Sequence, residues 1–138
     1  GNGLNISENI TVNSWPGTGG ISNYNGNNTI SGLITLNNAL DIRTNGVGTL
    51  TLAGGVTSSS NQTLAINNPT IINTNPITIG SGGLSITSAT SQLNVGGNTF
   101  GTLSLGYSGT LTMGASNALV TPQWYSELRR AWPTATAP

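Results

Sequence analysis

The 138-residue chain contains no cysteine, no histidine and no lysine. Its charge rests on three arginines and three acids, Glu8, Asp41 and Glu127, and the formal net charge is zero. Only 4% of the residues are charged, against about 25% in ordinary globular chains. Each absence excludes something. Without cysteine there is no disulfide framework, and without cysteine or histidine no thiolate or imidazole metal site. Three cations are too few to neutralise a phosphate backbone, so nucleic acid is not an expected partner. No apolar run approaches the roughly 18 residues of a membrane helix. A single phenylalanine leaves no large aromatic centre of the kind a β-sandwich core usually carries.

What fills the chain instead is 19 Asn, 21 Thr, 15 Ser and 20 Gly. Low charge alone does not mean disorder, which combines low hydrophobicity with high net charge. Here Leu, Ile and Val recur at short intervals in apolar–polar–apolar triplets. These are Leu4/Ile6, Ile10/Val12, Ile34/Leu36, Leu40/Ile42, Leu50/Leu52, Leu64/Ile66, Ile77/Ile79, Leu84/Ile86, Leu93/Val95, Leu103/Leu105 and Leu111/Met113. Alternation with period two means strands with one face buried. The intervening residue is usually Thr, Ser or Asn, and β-branched Thr suits a strand's outer face. Between the triplets stand Asn and Gly, residues that tolerate left-handed backbone at single corners.

From Leu50 onward the triplets start 14, 13, 7, 9, 10 and 8 residues apart. Short strands at such spacing fit a sandwich, a barrel or a solenoid. The uniform aliphatic inner positions, the Asn/Gly corners and the small uncharged outer positions favour the solenoid. The expected fold is an all-β, right-handed parallel β-helix of two or three strands per turn. At roughly 20 residues per turn it would have about five or six coils. Leu50, Leu52, Leu64, Ile66, Leu84, Ile86, Leu103, Leu105, Leu111 and Met113 are expected to stack as its core.

Residues 28–36, Asn-Thr-Ile-Ser-Gly-Leu-Ile-Thr-Leu, and 48–54, Gly-Thr-Leu-Thr-Leu-Ala-Gly, resemble the autotransporter-associated β-strand repeat. So do residues 107–119, Tyr-Ser-Gly-Thr-Leu-Thr-Met-Gly-Ala-Ser-Asn-Ala-Leu. The resemblance spans about residues 28–119. It implies a β-helical stalk in a bacterial secreted or surface protein. The very long chain and the terminal outer-membrane barrel usual in that family are absent from this sequence.

The expected organisation is an N-terminal capping or assembly segment at 1–27, the solenoid at 28–119, an amphipathic helix at 120–133 and a tail at 134–138. The helix is read from Thr121 as N-cap, Pro122 in the first turn and Pro133 as a stop. Trp124, Leu128 and Trp132 fall on one stripe of it. A solenoid has two open ends that need a cover. Trp15, Tyr24, Trp124, Tyr125, Leu128 and Trp132 lie outside the regular triplets and are the candidates for capping or assembly.

Three carboxylates far apart in sequence make catalysis a poor expectation, so no enzyme, metal or cofactor is predicted. Asp41 and Arg43 form the only alternating charged pair, read as a solvated surface pair. Asn-x-Ser/Thr at Asn5, Asn9, Asn27 and Asn61 is no more frequent than composition produces by chance. The start at Gly1 and the lack of a charged, apolar leader suggest a processed or excised chain. Near-absence of charge with abundant Asn, Thr, Ser and Gly fits an extracellular or bacterial cell-surface setting. The leading functional expectation is a non-catalytic fibre or stalk subunit that associates end to end with its own copies. One alternative is an adhesin module that binds glycans. Another is an ice-binding face built on outward threonine pairs such as Thr49/Thr51 and Thr110/Thr112.

Overall fold

The computed structural model describes residues 3–13, 20–44, 46–67, 69–72, 74–87, 90–106 and 108–118. These residues wind into a parallel β-solenoid of about five coils. The first coil holds β1 (Asn5–Ile6), β2 (Ile10–Val12) and β3 (Ile21–Asn23). The second holds β4 (Asn28–Ile30), β5 (Ile34–Leu36) and β6 (Leu40–Thr44), and the third β7 (Leu50–Leu52), β8 (Val56–Thr57) and β9 (Leu64–Asn67). The fourth holds β10 (Thr70–Ile72), β11 (Ile77–Thr78) and β12 (Gly83–Ile86). The fifth holds β13 (Thr90–Leu93), a lone bridge at Thr99 and β14 (Thr102–Leu105), after which β15 (Thr110–Met113) opens a further turn.

Three sheets result. The first runs β1-β4-β7-β10-β13-β15, the second β2-β5-β8-β11 and the third β3-β6-β9-β12-β14. The pairings are parallel throughout, which excludes an antiparallel sandwich. Equivalent positions on neighbouring coils lie 19 to 24 residues apart. The solenoid begins in the first coil, so regular strands extend N-terminally of residue 28, into the stretch expected to be irregular. The proposed helix at 120–133 lies outside the described residues.

Each sheet turns one side chain of every pair inward, and these form columns along the axis. In the third sheet Ile21, Ile42, Ile66, Ile86 and Leu105 stand one above another. Beside them stand Leu40, Leu64, Leu84 and Leu103. The first sheet contributes Ile6, Ile30, Leu52, Ile72, Leu93 and Met113. In the middle coils these side chains are fully buried. Each contributes about 1.5–3 kcal/mol relative to exposure. Leu50, Leu52, Leu64, Ile66, Leu84 and Ile86 occupy the core as expected.

Leu105 and Met113 do not. They are 51% and 50% exposed, and Leu103 and Leu111 are only half-buried. Their alternation aims them correctly, but no described strand lies beyond β14 and β15 to cover them. Burial in a solenoid comes from the next coil, not from the residue's own strand.

The corners explain the asparagines differently from the sequence expectation. Only Asn61 among the described non-glycine residues has a positive φ, 53°. Several others at the bends act through their side chains. Asn28 Oδ1 accepts from the Leu4 N–H (3.0 Å), Asn9 Oδ1 from Leu33 (2.9 Å) and Asn27 Oδ1 from Thr49 (3.0 Å). Each amide replaces a carbonyl where the strand ladder is interrupted, so the backbone donors at the bends stay paired. Where the coils come closest, only glycine fits. A Cβ on Gly54 would land on the Gly32 carbonyl oxygen, and one on Gly32 would land on that of Glu8.

Candidate functional site

The solenoid offers three outer faces and two ends. Among the singled-out aromatics, Trp15, Trp124, Tyr125 and Trp132 lie outside the described residues, as does Leu128. Tyr24 follows β3 in the first coil and is 69% exposed, so it does not pack over the end. It stands beside a recess of about 220 Å³ lined by Leu4, Ile6, Ile21, Ile30 and Leu50, with Asn28 at its polar side. The Asn28 amide donates to Asn23 Oδ1 (2.7 Å) and to the Asn25 carbonyl (2.9 Å). The polar side of the recess is thus engaged within the corner itself.

The charged pair sits on the outer face of the third sheet. Arg43 Nε donates to Asp41 Oδ2 at 2.6 Å, and Asn67 Nδ2 on the next coil donates to Asp41 Oδ1 at 2.9 Å. Asp41 is tied to both neighbours and mostly covered, its side chain 14% exposed. It is a cross-coil brace and less solvated than its sequence position suggests. Among the described residues no three acids come together.

The fifth coil is fastened from within. Asn98 is buried; its Oδ1 accepts from the Ile77 N–H (2.8 Å). Its Nδ2 donates to the carbonyls of Val95 (2.7 Å) and Ala118 (2.8 Å). One amide therefore stitches the corners of three successive turns. Ser91, facing inward on β13, is buried with no partner for its hydroxyl.

The outward threonines separate into two groups. Thr51 and Thr112 both face out from the first sheet, but Ile71 and Gln92 stand between them. They form no array. The second sheet is different: Thr11, Thr35, Thr57, Thr78 and Thr99 are mutual neighbours on five successive coils. The buried Ile34/Leu36 and Ile77/Ile79 flank Thr35 and Thr78, which sets the threonines on the outer face. Sequence reading missed this column because its members lie 21 to 24 residues apart, and only the register brings them together.

A scan against protein-family models, a search of curated proteins and a search of solved structures each find no match to this chain. The class is defined by the fold itself: a parallel β-solenoid with an aliphatic interior and nearly uncharged faces.

Proposed function

We propose that the chain is a non-catalytic structural module, a length of β-helical stalk or fibre that associates end to end with its own copies. The carrying observation is that, among the described residues, inward columns stay open at both extremes. Leu4 is 58% exposed at one end, and Leu105 and Met113 are half exposed at the other. An aliphatic column open at each end favours a head-to-tail contact, which is heterologous and propagates into an open filament. Little charge on the faces means little repulsion as copies approach.

The winding is read as right-handed, because parallel strands joined across one sheet follow that hand in nearly every known case. The resemblance to the autotransporter-associated repeat supports an extracellular or bacterial cell-surface setting. A glycan-binding module is less well supported: among the described residues Tyr24 is the one exposed aromatic ring available for stacking on sugar.

Negative-stain imaging and sedimentation of the purified chain across a concentration series test the reading. Filaments that shorten in Leu105→Glu/Met113→Glu are the expected result. Uniform monomers of the parent chain at every concentration would overturn it.

A further inference from the structure

The threonine column of the second sheet has a regularity that end-to-end association does not use. Thr11, Thr35, Thr57, Thr78 and Thr99 repeat once per coil, at the interstrand spacing of about 4.8 Å. Two residues before Thr57, Thr78 and Thr99 stand Gly55, Pro76 and Gly97, which place no long side chain beside these three rungs, whereas Asn9 and the exposed Leu33 hold that position beside Thr11 and Thr35. Two of the hydroxyls, those of Thr57 and Thr78, reach backbone carbonyls. Thr57 Oγ1 donates to the Thr78 carbonyl and Thr78 Oγ1 to the Val56 carbonyl, each at 3.4 Å. At these two rungs the contacts favour one rotamer and leave the oxygen lone pairs open to water.

A surface of five identical groups at one spacing is matched by a ligand with its own repeat on that scale. Nucleic acid would need cations, and no threonine of the row has an arginine in register with it. A crystalline polysaccharide would be gripped by aromatic stacking, yet the described aromatics are Tyr24, at a different corner, and Phe100, in the core. What remains is ordered water. Methyl groups in a row impose a regular hydration shell, and hydroxyls between them fix it by hydrogen bonds. We infer that the outer face of the second sheet binds ice. Each rung contributes little, and the regular repetition supplies the sum.

The test measures thermal hysteresis and inhibition of ice recrystallisation with the full chain, with circular dichroism as the check on folding. The inference does not rest on filament formation, since monomer and filament carry the same face. Thr57→Tyr, at the centre of the row, is expected to lower hysteresis several-fold, while Thr51→Tyr on the first sheet leaves it unchanged. Thr57→Val keeps the shape and removes the hydroxyl, so it reads out the row if the tyrosine variant misfolds, and a loss is expected there too. Three results would overturn the inference: no ice activity in the folded parent chain, equal losses in Thr51→Tyr and Thr57→Tyr, or retention on crystalline cellulose or chitin without hysteresis.

Discussion

Ile66 and Leu105 stand in the same inward column of the third sheet, two coils apart, and their environments are opposite. Ile66 is buried between Ile42 and Ile86, whereas Leu105 has Ile86 on one side and a half-open surface on the other. Residue type and strand phase are alike in both. The difference is the presence of a following coil. In a stacked fold stability is therefore nearly a sum over interfaces between neighbouring coils. The same alternation encodes core in the middle and exposed apolar surface at the end.

The comparison can be broken most sharply by truncating both side chains. Ile66→Ala is expected to cost about 2–5 kcal/mol in urea denaturation, through lost transfer energy and a cavity. Leu105→Ala, measured on dilute protein, is expected to cost less than about 1 kcal/mol. Equal losses would mean that the end is as well covered as the middle. A smaller effect is expected at the stitch between turns. Asn98→Ala leaves the buried Ile77 N–H and two carbonyls without partners, at about 1–3 kcal/mol, and faster amide exchange at Ile77 would localise the loss. The smallest effect falls on Ser91, whose hydroxyl already lacks a partner. Ser91→Ala is expected to shift stability by no more than about 0.5 kcal/mol, or to raise it, in the same denaturation series.

Strands with two aliphatic inward positions were legible from sequence. β5, β7, β9 and β12 each announce themselves by a clean triplet, and their core residues sit where alternation places them. Strands that turn a polar residue inward were not. β4 pairs Asn28 with Ile30 and β10 pairs Thr70 with Ile72, so a search for paired aliphatics passes over both. The Leu93/Val95 triplet lies two residues too far along for the same reason: β13 ends at Leu93, and Ser91 is its inward companion. Coil lengths that vary between neighbours hid the threonine column, because a drifting period has no single repeat to search for. The corner asparagines showed where the bends lie, but not that their amides bond across coils.

Between the second and third sheets the bends differ in length. Coil two crosses on residues 37–39, while coil three takes residues 58–63. The longer bend is organised by Ser58, whose hydroxyl donates to the Leu36 carbonyl (2.8 Å) and accepts from the Ser60 and Gln62 N–H groups (3.2 and 3.3 Å). The strands on either side keep their register despite the added residues. The treads above and below stay level while this bend bulges outward, so one turn of the stair can be longer than its neighbour without tilting the rest.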